Sequence, residues 1–322
     1  MLTLSLRSFI AQVDKLDLPT ESYPYCYSER SMVKLFLYSL VRGMRSFKSL
    51  RRHLEERPEV LKLVGLEALP HRTTLSRRFK TLYESLSAML AQLHERFVLH
   101  NQTDPSVMSF DSTLMHADGN LWHTKDRKAG KLPSCGNIDT QAHWGVSGAG
   151  DWVFGYRYHC AVSCLPGGYV LPRSVDIRAA NIKDAQVFKE RLATDLPAQT
   201  LLALGDGGYD EEGCYNLCDQ QEVSLLAPIT VKENTPAKRR ERAKLFHSHQ
   251  AKEVYALRKT TVEPFQGHLK HLFDLEYLPV KGLLNVRALC TLATVAYSLL
   301  VSLNIRLQRP PTQLKATLLA LR

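Results

Sequence analysis

The chain has 322 residues, 44% hydrophobic and 23% charged, enough for an ordinary globular core and, by length, for roughly two domains. Its 42 Lys and Arg against 32 Asp and Glu leave a formal charge of +10, which favours a polyanionic partner, nucleic acid before membrane. Seven scattered cysteines argue against a secreted disulfide framework and for reduced thiols in the cytoplasm.

Residues 1–100 read as all-helical. The N-terminus lacks a basic leader, and its apolar stretch is too short for a secretory signal. One helix opens at Ser28 or Ser31 and closes at Gly43. SFKSLRRHLEER and PEVLKLVGLEAL supply two more. A fourth follows Pro70, with Thr73 or Thr74 as its cap and Leu75, Phe79, Leu82, Leu86, Leu90 and Leu93 at helical spacing. Short helices, tight turns and outward Arg and Lys suit a helix-turn-helix-like module. Arg72, Arg77 and Arg78 cluster at one helix start, where a recognition helix meets the major groove; a solvated surface is the plainer reading.

From Ser106 the pattern changes. SVMSFDSTLMHA is strand-like, and WVFGYRYHCAVSC and GYVLPRSVDIRA form a strand pair around the turn signal LPGG. A helix opened by Asn181, the strand TLLALGD, the helix DEEGCYNLCDQQ and the strand VSLLAPI follow. The order predicts an α/β layer with a mixed sheet. Residues 231–252 are polar and cationic, an exposed loop or short helix that is either solvated or contacts DNA. The apolar region 283–307 is broken by Asn285, Arg287, Thr291, Thr294, Asn304 and Arg306 and reads as a buried helix, not a membrane span. Residues 309–322 follow a double proline and read as a peripheral tail. The expected organisation is therefore 1–100, 101–308 and 309–322. Cys160/Cys164 and Cys214/Cys218 have CxxxC spacing, but a strand-like and a helix-like setting do not favour zinc.

Three acids carry the chemistry. Asp111 and Asp206 end short apolar runs, at what read as neighbouring strand ends, where open α/β sheets place their sites. Glu263 stands in a basic, helix-like segment. Carboxylates brought together this way suit magnesium or manganese, and two such ions about 4 Å apart serve phosphodiester hydrolysis. Taken singly, each Asp is as well explained by capping a turn.

The strings around these acids resemble bacterial insertion-sequence transposases of the DDE type, whose catalytic domain has the RNase H-like fold. FDST resembles the first Asp motif of that family and GDGGYD the second. TVEPFQGHLK resembles the third, with Glu263 as the acid and Lys270 as its companion on the same helical face. Tyr255 and Arg258 resemble a Tyr-x-x-Arg element before the Glu. Four residues rather than the usual three separate Arg258 from Glu263, and Lys259 has the usual spacing and the better helical face. Pro264 places Glu263 at a helix start or a kink.

The resemblance implies an α/β, RNase H-like catalytic domain behind a helical N-terminal domain. It implies metal-dependent hydrolysis at transposon ends and transfer of the freed 3′-hydroxyl into target DNA. Two magnesium or manganese ions bound by Asp111, Asp206 and Glu263, double-stranded DNA as substrate, and a homodimer on the paired ends belong to the same reading. No membrane is involved. The alternatives are a DNA-binding protein that has lost catalysis and a metal-dependent nuclease of the same fold. Tyr209, after the glycine pair, either stacks on a displaced base or, more readily, packs under its own turn.

Overall fold

A computed structural model describes residues 5–18, 26–131, 133, 136–165, 168–194 and 196–322. Pro166 and Gly167 of the expected LPGG turn lie outside the described residues, as does the side chain of Cys164.

The N-terminal region is helical: α1 (Leu6–Ile10), α2 (Glu29–Val41), α3 (Phe47–Glu56), α4 (Glu59–Val64), α5 (Arg72–Lys80) and α6 (Tyr83–Leu99). Ser28 and Ser46 cap α2 and α3, each accepting a backbone N–H three residues on, at 3.2 and 3.1 Å. The segment expected as one helix after Pro70 is two. Thr81 folds its hydroxyl back to the Arg78 carbonyl at 3.0 Å and closes α5 in a tight turn. His71, not Thr73 or Thr74, caps α5 through the Thr73 N–H at 3.3 Å.

Six strands follow: β1 (Val107–His116), β2 (His143–Val146), β3 (Trp152–Cys164), β4 (Val170–Ala179), β5 (Leu202–Leu204) and β6 (Ser224–Leu226). Strand β2 is an addition to the expected set. β3 pairs antiparallel with β1 on one edge and with β2 and β4 on the other. β1 then pairs parallel with β5, and β5 parallel with β6. Pro172 sits beside a bulge in the β3–β4 ladder, one of the places where a sheet tolerates proline. This mixed sheet, with β1 central, has the RNase H-like arrangement.

The remaining helices are α7 (Thr124–Lys128), α8 (Asp184–Val187), α9 (Glu212–Gln220), α10 (Ala237–Phe246), α11 (His249–Tyr255), α12 (Val262–Phe273), α13 (Leu283–Arg306) and α14 (Leu314–Leu321). Helix α8 starts after Lys183 rather than at Asn181 and widens into a π-turn over Phe188–Leu192. The cationic stretch 231–252 is mostly helical. Arg242 of α10 bonds Glu212 at 2.7 Å and Asp219 at 3.4 Å, and Arg239 pairs with Asp210, so part of its charge docks α10 on α9.

Alternation along β3 divides the core in two. Tyr156, Tyr158, Cys160 and Val162 belong to a large cluster with α6, α12 and α13. Helix α13 is apolar and long enough to cross a membrane, but 89% of that stretch is buried inside the protein. The same cluster takes in Phe9, Phe36, Leu75 and Phe79 of the N-terminal helices. Leu314, Leu318 and Leu321 of α14 also enter it, and Arg322 donates to the Val41 carbonyl at 3.1 Å, so the C-terminal residues are docked, not peripheral. On the other face Met108, Phe110 and Ala161 pack against Phe188, Tyr209, Cys214 and Cys218. Burial pushes the Cys214 and Cys218 thiols up to about 12, the opposite of what thiolate metal ligands need.

Candidate active site

Ser109 of β1 lies opposite Leu204 of β5 in the parallel ladder. Continued by two residues, that register sets Asp111 level with Asp206, just past the last residue of β5. Asp111 is therefore in the middle of β1, opposite Cys160, and not at a strand end as the sequence suggested. The short β5 creates the edge: it stops at Leu204 while β1 continues to His116.

Asp206 caps the turn Gly207–Tyr209, its Oδ1 accepting the Gly208 N–H at 2.8 Å. Tyr209 is wholly buried, 5.4 Å from the Phe188 ring and 6.4 Å from Phe110, so it packs beneath its turn. A Cβ on Gly205 would stand 2.7 Å from that tyrosine ring, so the glycine is what lets the ring close under the strand end.

Asp111 Oδ1 accepts the Ser112 N–H at 2.9 Å and lies 3.3 Å from Nη2 of Arg258. Burial pushes the Asp111 carboxyl up to about 6; Arg258 and Ser112 pull it down, and the charges of Asp206 and Asp184 raise it further. Arg258 comes from the 3₁₀ segment Ala256–Thr260, and its Nη1 donates to the Tyr255 hydroxyl at 3.1 Å. Thr261, with φ −115° and ψ −88°, breaks the helix before α12. The expectation of one continuous helical face, which favoured Lys259, fails there: the phase resets, Arg258 turns inward and Lys259 is exposed.

Helix α12 runs beside β1. Thr261 Oγ1 donates to Ser109 Oγ at 3.0 Å, Gln266 approaches Cys160 Sγ at 3.7 Å, and Lys270 Nζ donates to the Leu114 carbonyl at 2.8 Å. Glu263 shares the helical face of Gln266 and Lys270. It is exposed at the first turn of α12, and among the described residues no contact of Asp111 or Asp206 reaches it. Lys270 also pairs with Glu276 at 2.7 Å, and the Glu276 carbonyl accepts the His116 N–H at 2.9 Å, which ties this segment to the end of β1.

Asp184, at the start of α8, was missed by sequence reasoning. An acid in the first turn of a helix is too common to stand out. Its carboxylate lies 3.2 Å from His159 Nδ1 and 3.5 Å from Arg157 Nη1. Burial alone would raise Asp184, but His159, Ser112 and Arg157 outweigh it and hold the carboxyl below its ordinary value. Asp111, Asp206 and Asp184 thus lie along one sheet edge, near enough for the charges of Asp206 and Asp184 to raise Asp111. No group of three or more His, Cys, Asp or Glu side chains is closed into a ready-made metal set among the described residues.

Of the N-terminal arginines, Arg72 and Arg77 are exposed. Arg78 is buried and bonds Glu29 at 3.1 Å, inside the helical packing. A cavity of about 690 Å³ between α2, α13 and α14 is lined by none of the acids Asp111, Asp184, Asp206 and Glu263.

The sheet and its order define the class, an RNase H-like α/β domain. The family of the transposase DDE domain matches residues 102–299, well over half of the chain, and the chain belongs to that family. Its members act on DNA and use divalent metal ions. No curated protein matches the chain.

Proposed function

We propose that the chain cuts DNA at transposon ends and joins the freed 3′-hydroxyl to target DNA, both at the edge formed by Asp111 and Asp206 with Glu263. The observation that supports this reading most is the parallel pairing of β1 with β5 up to Ser109 and Leu204, beyond which Asp111 continues along β1 and Asp206 stands in the turn just past the end of β5. Two magnesium or manganese ions, when bound, supply an activated water, a neutralised phosphate and a stabilised leaving oxygen.

The chain's own residues hold and shield the site. Asp111 and Asp206 are the fixed donors. Arg258 compensates the buried charge of Asp111 and holds its rotamer. Thr261 and Lys270 fasten α12 to β1 and Gln266 meets β3, which holds the first turn of α12, with Glu263, beside the sheet; Glu263 would complete the site from that side. Arg72, Arg77 and Lys259 are exposed cations placed to meet phosphate, while Tyr255 acts through Arg258. A homodimer would pair the two ends.

Metal-dependent assays on the DNA that flanks the gene, with any inverted repeats it carries, test the reading. It expects nicking and strand transfer by the wild type and neither by Asp111→Ala, Asp206→Ala or Glu263→Ala. Unchanged reaction in these variants sinks it. Cutting without joining of pre-cleaved ends favours a plain nuclease, and tight binding without turnover favours a DNA-binding protein.

A further inference from the structure

We propose that Asp184 is a further cation-binding carboxylate of this edge, sharing a divalent ion with Asp206 across an opening that Gly208 keeps clear. The inference rests on the reading above, in which Asp206 takes metal.

Gly208 is the first observation. A Cβ built there would lie 2.9 Å from Asp184 Oδ2 and 2.9 Å from Asp206 Oδ1, so both oxygens border one small space. Gly208 is not in the left-handed backbone region that favours glycine. The absent side chain, not backbone freedom, is what this position uses. Any other residue would fill the gap between the two carboxylates.

His159 is the second. It is wholly buried on β3, opposite Ser112 of β1, on the sheet face that α8 covers. Its Nδ1 lies 3.2 Å from Asp184 Oδ1, yet neither ring nitrogen nor that oxygen makes a hydrogen bond among the described residues. A buried imidazole left this way is costly unless a small turn of the carboxylate completes the bond. A histidine behind a carboxylate is also the arrangement that orients a metal ligand.

A groove of about 420 Å³, bordered by Trp144, Trp152, Arg157, Lys183, Asp184 and Gly208, opens beside Asp184 and Gly208. Arg157 is the neighbouring cation, 3.5 Å from Asp184 Oδ2 and bonded to Ser112 Oγ at 3.1 Å. A role limited to pairing Asp184 with Arg157 and His159 does not account for the bare Gly208.

The test is Mn²⁺ binding to the full-length chain without DNA, by calorimetry or by the electron paramagnetic resonance of free Mn²⁺. Wild type, Asp184→Asn, Gly208→Ala and Asp206→Asn are compared, with thermal melting in a chelator as the check on folding. Asp184→Asn and Gly208→Ala should each weaken Mn²⁺ by about tenfold or more while melting cooperatively. Gly208→Ala keeps every carboxylate and decides the matter if Asp184→Asn fails to fold; Asp184→Asn decides it in the converse case. Affinity unchanged in the folded variants, with Asp206→Asn impaired, overturns the role of Asp184 alone. Affinity unchanged in Asp206→Asn as well, or no Mn²⁺ binding by the wild type, overturns the metal reading of Asp206 and this inference with it.

Discussion

Arg258 Nη2 stands 3.3 Å from Asp111 Oδ1, with both side chains largely buried. The guanidinium is the cation that makes a buried carboxylate tolerable in the protein without metal. Arg258→Ala leaves that charge uncompensated and should destabilise the chain by about 3 kcal/mol in a chelator, the scale of breaking a buried pair from one side. Mn²⁺ should restore part of the loss, because it meets the same carboxylate. Urea unfolding with chelator and with Mn²⁺ measures both effects; equal stability of wild type and variant would remove Arg258 from this role.

The two glycines that flank Asp206 should behave differently. A Cβ on Gly205 meets the Tyr209 ring at 2.7 Å, whereas one on Gly207 meets nothing within 4 Å. Gly205→Ala should cost roughly 1–3 kcal/mol through overpacking. Gly207→Ala should fall within about 0.5 kcal/mol of the wild type, as surface changes do. Thermal melts of the two variants side by side check the contrast, and equal losses would contradict the packing of Tyr209 under its turn.

His94 gives the fold an acid sensitivity. It is buried, with Nε2 2.8 Å from Ser163 Oγ. Burial, aided by Arg173, lowers its pKa from 6.5 to about 3. The unfolded chain therefore binds a proton that the folded chain refuses, and stability, complete above pH 6.5, declines as pH falls towards 3. The slope approaches about 1.4 kcal/mol per pH unit. Asp111, raised to about 6, acts in the opposite sense below that pH, so the comparison must be made against a variant. His94→Gln should lose less stability on acidification than wild type, and parallel pH profiles would contradict the assignment.

Neighbouring arginines of α5 should separate structure from DNA contact. Arg78→Ala breaks the buried pair with Glu29 and should cost about 3 kcal/mol of stability. Arg77→Ala should leave stability unchanged and weaken binding to all DNA sequences alike, reducing the salt slope by about one unit. A salt titration of DNA affinity and a melt of each variant decide; an unaltered salt slope in Arg77→Ala would place DNA elsewhere on the chain.

Much of this was legible in the residues because the signals were local. Ser28 as a cap, alternation through WVFGYRYHCAVSC and the apolar run of α13 each report structure from a few neighbouring positions. GDGGYD marked Asp206 for the same reason. What stayed hidden depends on partners distant in sequence. The break at Thr261 resets the helical phase and selects Arg258 over Lys259, which no count along a continuous helix could foresee. Asp184 joins the edge only because β3 carries His159 and Arg157 to it. The register that aligns Asp111 with Asp206 is a property of pairing, set by where β5 ends.

The most direct test of the account is cleavage of end-bearing DNA in magnesium by folded Asp111→Asn and Asp206→Asn proteins, each measured beside the wild type. Both substitutions keep the size of the side chain and remove the charge that the aligned edge presents. The account predicts that either one lowers cleavage and strand transfer by a factor on the order of 10³ while DNA affinity is retained. Cleavage at the wild-type rate by either variant would contradict it.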